Sequence, residues 1–442
     1  MSGKNIVNNH TLKFTLLFKF FLLIGTFAAA DPLEVELKGL ISNHPQIKAA
    51  EKGLESSRQG IGTALSTFLP TVTATGDVGY EEIDSPTSRS SQADGDWNRT
   101  KNTAGVTVSQ NLFSGYSNTS AVKTARLNKE IARIAVKTAR QDLMLEGIRA
   151  YVDILRQRSL IELARENEAT IQRQLKLEDE RVQRGSGITV DVLQAKSRLQ
   201  LAKERRINFE GALEDAISRY IQTFNHSPNI DEMVDPLPPI DLIPSQLSEA
   251  IKLASLENPA IGNSGTSIEV ARESRRLAQS ELFPTVDVEG AMNYEKHSGG
   301  TIGTRRDYSV VVSASWNLFT GFSSRYSRAK ASYDYQASKD QYEVSLRKVI
   351  EETKLAWQSL LTARERLELL ENAVNIATEV FGSRKKLREA GKETVINVLD
   401  AENEVNNAQT NFNSATYDER LAVYSLIRAM GQLTKTNLGL DN

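Results

Sequence analysis

Two long stretches of the chain, residues 87–227 and 285–442, contain no proline. A proline inside a helix costs about 3 kcal/mol, so such stretches can hold very long helices. Over much of both stretches, apolar residues recur at steps of three and four, and both flanks of this narrow stripe are charged. The pattern predicts helices over 117–184 and 323–390 that pack side by side in the manner of a coiled coil.

Helix stop and start signals follow each of these predicted helices. Gly185 and Gly391 can adopt the left-handed conformation that ends a helix, and Gly187 lies two residues after the first of them. Thr189 and Thr394 suit the start of a helix that returns. We therefore expect two long helical hairpins with glycine-containing turns at their tips.

A different periodicity, with apolar residues at every second position, precedes each long helix. It begins after Pro70 and Pro284, and it ends at Gly115 and Gly321. Such alternation predicts strands with one apolar and one polar face, which form one β-hairpin in each half of the chain. The apolar faces include Val72, Val78, Val106, Val108, Val286, Val288, Val312 and Trp316.

The predicted strands need partners, because a single two-stranded hairpin is not stable on its own. The commonest cause of alternation is a small sheet with one face in water. Here, however, the connecting loops 81–103 and 295–306 are polar, and each half of the chain offers only one hairpin. We therefore expect other chains to complete the sheet.

The chain is a tandem repeat, in which four sequence blocks occur twice in the same order. Residues 68–72 match 282–286 at an offset of 214 residues. A later block reads Asn-Leu-Phe-Ser-Gly-Tyr-Ser at 111–117 and Asn-Leu-Phe-Thr-Gly-Phe-Ser at 317–323, at an offset of 206. The change of offset gives the first copy eight additional residues, which lie between residues 80 and 106.

The repeat and the proline content divide the chain into segments. The predicted segments are a signal peptide at 1–30, a first repeat at 31–225, a Pro-rich linker at 226–244, a second repeat at 245–434 and a tail at 435–442. Each repeat reads as a helix, a β-hairpin and a long helical hairpin. The β-hairpins cover about 70–114 and 284–320, and the helical hairpins cover 116–225 and 322–431.

The N-terminal segment has the three parts of a signal peptide. Lys4 and Lys13 precede an apolar run, and the alanines at 28–30 fit a cleavage site. A membrane anchor is the alternative, but Lys19 leaves an uninterrupted run well short of the ~20 residues that a spanning helix needs. We expect an exported protein that is either soluble or inserted in a membrane as a β-barrel.

The composition excludes most kinds of chemistry. The chain has no cysteine, which excludes disulfides, thiolate sites and a lipidated N-terminal cysteine, and its four histidines lack a metal-binding spacing. A net charge of −2 argues against a strongly basic nucleic-acid binder. No phosphate loop, nucleophile elbow or H-E-x-x-H motif occurs. We expect no enzyme activity, no cofactor, no metal and no nucleic-acid partner.

The exported repeat resembles the TolC-like outer-membrane channel-tunnel family. The resemblance rests on the proline-led strands, the N-L-F-x-G-[YF]-S junction and the V-D-V-L-x-A block after the glycine turn, and it covers about 32–435. It implies a mainly α-helical homotrimer of a Gram-negative bacterium. Four strands per protomer would form a twelve-stranded barrel in outer-membrane lipid, above an α-barrel tunnel that crosses the periplasm.

The resemblance also implies a function and partners. Such a protein is a passive exit duct for efflux or type I secretion, and it works with a periplasmic adaptor protein and an inner-membrane ABC or RND-type transporter. The alternative is a trimeric coiled-coil fibre without a pore. The two differ in whether the apolar strand faces contact lipid.

The resemblance places a gate at the periplasmic tips. Relatives close the entrance by contacts between an acidic residue of the first helical hairpin and an Arg and a Tyr of the second. Asp191 matches the acidic position, whereas Arg388 and Glu393 stand at the Tyr and Arg positions. Asn397 and Asp400 stand where relatives have an acidic pair around the entrance. The family contacts are therefore not reproduced, and an Asp191–Arg388 pair is the expected substitute. The alternative role for the carboxylate is a favourable acid at a helix N-terminus.

Two further sets of residues follow from the resemblance. The adaptor is expected to dock on the tips, which contain Gly185, Gly187, Gly391, Val192 and Val398. The junction between the barrel and the tunnel is expected at Pro70, Gly115, Pro284 and Gly321.

Overall fold

A computed structural model describes residues 33–84, 86 and 97–440 of the 442-residue chain. The predicted signal peptide and most of the loop with the eight additional residues lie outside these ranges. Within them, the fold is mostly helical and contains one four-stranded antiparallel sheet.

The two copies of the repeat have the same order of elements. The first contains α1 (Leu33–Asn43), α2 (Pro45–Ser66), β1 (Thr71–Ile83), β2 (Trp97–Ser114), α3 (Ser117–Gln183) and α4 (Thr189–Phe224). The second contains α5 (Leu247–Glu257), α6 (Pro259–Ser280), β3 (Thr285–Lys296), β4 (Thr304–Ser315), α7 (Ser323–Glu389) and α8 (Val395–Ala429). The linker between the copies holds two short 3₁₀ turns, Ile230–Glu232 and Ile240–Leu242.

The long helices α3 and α7 each extend over 67 residues, which corresponds to about 100 Å. They begin at the residues that the periodicity indicates and end one residue earlier than expected. Each turns back along α4 or α8 to form a helical hairpin. None of the helices in the described ranges is both long and apolar enough to span a bilayer.

Each copy begins with a short helix, α1 or α5, that the predicted elements do not include. The next helix starts immediately, because a side chain caps its N-terminus and a proline follows. His44 Nδ1 accepts from Gln46 N at 3.2 Å, and Asn258 Oδ1 accepts from Ala260 N at 2.9 Å. The recurring Asn-Pro and His-Pro pairs are thus helix caps with proline at the first helical position.

The main hydrophobic core lies at mid-height of the helical part. There the middle of α3 packs against α1 and the C-terminal ends of α4 and α8. Gln141 interrupts the apolar stripe of α3 but is buried, and its amide donates to the Gly431 carbonyl just after α8 at 2.7 Å. Burial of a polar amide is tolerated because this bond satisfies it.

The sheet follows the chain in the order β1-β2-β3-β4, and its register places the predicted apolar positions on one face. Val72 lies opposite Val108, and Val288 lies opposite Val312. A bulge between Asn111 and Phe113 adjusts the pairing of β2 with β3. Directly paired residues share a face, so the alternation is continuous across the four strands.

Trp316 is the exception among the predicted strand positions. β4 ends at Ser315, so Trp316 lies just outside the strand, and its indole N–H donates to the Leu282 carbonyl at 3.1 Å. Its counterpart in the first copy, Gln110, lies within β2 and donates to the Phe68 carbonyl at 2.9 Å. The prediction of Trp316 as a strand residue is therefore wrong for the single chain. Its hydrogen bond to a backbone carbonyl nevertheless has an equivalent in the first copy.

The repeated junction motif has the same geometry in both copies. Gly115 and Gly321 have φ of 60° and 62°, a left-handed conformation that favours glycine. The aromatic residues of each motif pack edge to face, with ring centroids 5.6 Å apart for Phe113–Tyr116. The corresponding distance in the second copy is 5.3 Å. The motif therefore turns each returning strand into a long helix.

Candidate functional site

The tips of the two helical hairpins are built by glycine turns. Gly185 and Gly391 have φ of 76° and 72°. In the first turn, Ser186 N donates to Arg181 O at 3.0 Å, the six-to-one bond of a Schellman motif. Gly187 serves another purpose, because a Cβ there would lie 2.8 Å from Val182 N. The first tip thus requires a close approach that the second does not.

The returning helices begin differently. Thr394 caps α8, since its Oγ1 accepts from Asn397 N at 3.4 Å. The residue before α4 is Ile188, which gives no side-chain cap, and Thr189 is already helical. Thr189 is therefore the first residue of α4, as its position after the glycine turn indicates, but it does not cap the helix.

Arg388 joins the two tips through two carboxylates. Its Nη2 lies 2.9 Å from Glu178 Oε2 and 3.7 Å from Asp191 Oδ2. Its Nη1 donates to the backbone carbonyl of Glu393 at 3.1 Å. The structure thus brings together Asp191 and Arg388, as expected, but the closer partner of the guanidinium is Glu178.

Glu178 is the site residue that the sequence does not reveal. Its side chain is only 8% exposed, and Arg181 Nη1 donates to its second oxygen at 2.9 Å. A buried carboxylate needs such partners, because removal from water is costly unless the charge is paired. Glu178 lies in the charged run of residues 178–181, which reads as an ordinary solvated helix face.

Glu393 and Asn397 interact with each other rather than with the first hairpin. The Glu393 carboxylate accepts from the Thr394 backbone N–H at 3.0 Å and from the Asn397 side-chain amide. The Asn397 bond is the main cause of a lowered pKa for Glu393, and the backbone bond adds to it. Glu393 therefore stays ionised and organises the turn before α8.

Asp400 is not an isolated member of an acidic ring. Arg198 Nη2 on α4 lies 2.6 Å from Asp400 Oδ1. This pair belongs to a polar seam between the first hairpin and α8. Further contacts of the seam include Arg205–Asn407, Asn167–Asn406, Asn413–Ser159, Arg156–Asp418 and Arg428–Asp142.

The predicted docking residues at the tips differ in exposure. Val192 and Val398 are buried, so they support the turns and do not offer a surface for another protein. The first tip instead exposes three large apolar side chains, Ile188, Val190 and Leu193. Ile188 and Val190 lie at the start of the helix, and Leu193 lies between the buried Val192 and Ala195.

Comparisons with known proteins agree with this architecture. The sequence profile of outer membrane efflux proteins matches residues 37–219 and again 250–432. The outer membrane efflux protein BepC of Brucella suis is 22% identical, over 95% of this chain and 90% of that protein. The outer membrane protein TolC of Vibrio cholerae is 24% identical over 90% of both. The alkaline protease secretion protein AprF of Pseudomonas aeruginosa is 23% identical, over 95% of this chain and 89% of AprF.

Solved structures share the fold. The outer membrane protein VceC of Vibrio cholerae superposes with a TM-score of 0.77 at 16% identity, over 90% of this chain and 96% of that one. No group of three His, Asp or Glu side chains in the described ranges is arranged to hold a metal. Because the family profile matches both copies of the repeat, this chain belongs to the outer membrane efflux protein family, to which it is joined by its similarity to the outer membrane protein TolC.

Proposed function

We propose that this chain forms a closed ring of protomers that acts as an exit duct through the outer membrane and the periplasm. The observation that carries the proposal is an asymmetry between two equivalent copies. Within the chain, one side of the first copy packs against one side of the second copy. The matching faces at the two ends of the chain are left open, and a neighbouring protomer can fill them.

The sheet displays this asymmetry. β2 of the first copy pairs with β3 of the second, whereas the outer edges of β1 and β4 have no neighbouring strand in the part of the chain that the structure describes. Residues 316–320, the counterparts of the paired residues 110–114, form no strand in the single chain. A neighbour's β1 would give them the partner that β3 gives to β2. Exposed strand edges of this length favour such pairing.

The helices display it as well. α3 packs against both α2 and α6, whereas α7 packs against α6 and, within the described ranges, has no comparable contact with α2. Leu155 of α3 is fully buried, but the equivalent Leu361 of α7 is 38% exposed. Apolar side chains of this kind gain about 25 cal/mol per Å² when a partner covers them.

A head-to-tail contact of this kind is heterologous, and it gives a ring when the rotation closes. The family resemblance supports three protomers, hence a twelve-stranded barrel with the apolar sheet face towards lipid and the polar face towards the lumen. Helices of about 100 Å would continue the tube across the periplasm. Such a tube conducts passively.

In the proposed ring, we expect the backbone of a neighbouring protomer to approach Gly321 closely, although the single chain does not show this contact. A Cβ on Gly115 would lie 2.5 Å from Ser280 O, whereas a Cβ on Gly321 meets nothing within 4 Å. By the repeat, Ser66 of the neighbour occupies the place of Ser280. We expect Gly321→Ala to lower the dissociation temperature of the trimer about as much as Gly115→Ala. Each substitution costs ~1–2 kcal/mol for a left-handed alanine backbone, and each also adds a steric clash.

Gly391→Ala is the matched control for this comparison. Gly391 also has a positive φ and has open surroundings, so the substitution adds the conformational strain without a clash. Heat-induced dissociation of the trimer on a denaturing gel measures all three variants. If Gly321→Ala were as mild as Gly391→Ala, the neighbour would not lie where the repeat places it.

We propose that a periplasmic adaptor docks at the hairpin tips and that an inner-membrane transporter of the ABC or RND type delivers the cargo. The exposed apolar residues Ile188, Val190 and Leu193 next to the glycine turn support this surface. Relatives named for efflux and for protease secretion support both modes of export. The duct itself then does not select the cargo.

Conductance tests the proposed function directly. Purified trimers of the full chain, added to a planar lipid bilayer, should insert from one side and give discrete, long-lived current steps. The fraction of the protein in the outer membrane is measured in the same preparation. Trimers that reach the outer membrane but carry no current under any gating condition would favour the fibre without a pore.

A further inference from the structure

Glu402 of α8 is a buried carboxyl group that takes no part in the gate contacts described above. It is 4% exposed and lies two residues after Asp400, whose pair with Arg198 belongs to the polar seam between the first hairpin and α8. Neither of its oxygens has a hydrogen-bond partner of normal geometry. It lines a cavity of 250 Å³ between α3, α4 and α8, which has room for water.

An ionised carboxylate is costly in such a place, because burial removes its hydration and the polar groups around it replace that hydration only in part. Burial raises the pKa of Glu402 to about 7. The side-chain amide of Gln174 and the positive charges of Arg173 and Lys385 oppose this shift but do not cancel it. Glu402 is therefore neutral in acid and ionised in base while the hairpins are packed together.

Charged groups face Glu402 from every element around it. Arg173 belongs to α3, and Lys385 belongs to α7. On α4, Arg198 is paired with Asp400, and Arg205 is hydrogen-bonded to Asn407. The remaining charged residue of the cavity wall is Glu204, also on α4. The seam groups have partners of their own, so their bonds persist when Glu402 changes its charge.

We propose that Glu402 is a pH-sensitive latch, which holds α8 against the first hairpin when it is protonated and loosens this contact when it is ionised. The inference rests on the proposed function, since the two hairpins must separate for the periplasmic entrance to widen. The latch lies beside the gate contact of Arg388 but uses a different chemistry. An acidic periplasm would close the duct, and a neutral one would favour its opening.

The direction follows from the protonation equilibrium. In the separated state Glu402 is solvated and titrates near its ordinary 4.5, whereas in the packed state it titrates at about 7. Protonation therefore favours the packed state: this contribution is complete below pH 4.5 and is lost as the pH rises to about 7. A shift of this size changes the equilibrium by on the order of a hundredfold per protomer.

The test is the pH profile of channel opening in planar bilayers. For the parent, the open fraction should rise about tenfold or more between pH 4.5 and 7.5. Glu402→Gln stays neutral at all pH values, so its open fraction should remain low and nearly independent of pH. Glu404→Gln is the matched control, because Glu404 is exposed on the same helix, and it should keep the parent profile.

The presence of channel current in the parent tests the duct, whereas the difference between the pH profiles of the two variants tests the latch. A parent-like pH profile in Glu402→Gln would overturn the latch and leave the duct standing. Hydrogen exchange of the 395–410 region in parent trimers, corrected for intrinsic rates, gives a readout without any substitution. Exchange should be faster at pH 7.5 than at pH 5, and equal protection at both would also overturn the proposal.

Discussion

Replacement of Arg388 by alanine should raise the single-channel conductance of assembled trimers more than any other single change at the tips. The substitution leaves Glu178 buried with only Arg181 as a partner, and it also removes the contact with Asp191. Loss of a charged hydrogen bond in such a place costs about 1.5–3 kcal/mol. In the proposed trimer three protomers lose it together, so the ratio of open to closed channels should rise by about tenfold or more.

The control variants separate this contact from a general loss of charge. Asp191→Ala should have a smaller effect, because its 3.7 Å contact resembles a partly exposed pair of ~0–1 kcal/mol. Lys386→Ala removes a positive charge from the same last turn of α7, where the side chain is exposed, and should conduct like the parent. A larger effect of Asp191→Ala than of Arg388→Ala would show that Glu178 is not the main anchor.

The sequence predicts best those elements that depend only on the spacing of residues close to one another in the chain. The two long helices begin where the junction motif ends, since a left-handed glycine, an aromatic residue and a serine fix that point in both copies. The strand faces follow from alternation alone, and the register agrees with it from Val72 to Val312. Both patterns need no knowledge of distant residues.

Features that depend on contacts between distant segments were missed. Helix α1 owes its burial to the middle of α3, and Glu178 becomes a site residue only because Arg388 lies across from it, 210 positions later. The Arg198–Asp400 pair has the same origin. Local sequence gives each of these residues the appearance of a solvated helix face, so nothing in the pattern could select them.

The strand faces give the second large effect. Val310 and Val311 are neighbours at the centre of β4, with exposures of 81% and 52%, and their side chains lie on opposite faces of the sheet. In the proposed barrel, Val310 faces lipid and Val311 faces the lumen. An arginine on the lipid face costs ~2–4 kcal/mol near the bilayer midplane, and a trimer carries three of them.

We therefore expect Val310→Arg to abolish stable insertion, while Val311→Arg assembles normally. The two variants share the residue exchanged, the strand and the depth, so only the face differs. Val311 lies opposite Glu289, whose carboxylate can pair with the new guanidinium in the lumen. The yield of heat-modifiable trimers in the outer-membrane fraction measures both. If Val311→Arg blocks insertion and Val310→Arg does not, the sheet faces are reversed, because a shift by one residue exchanges lipid and lumen along the whole strand.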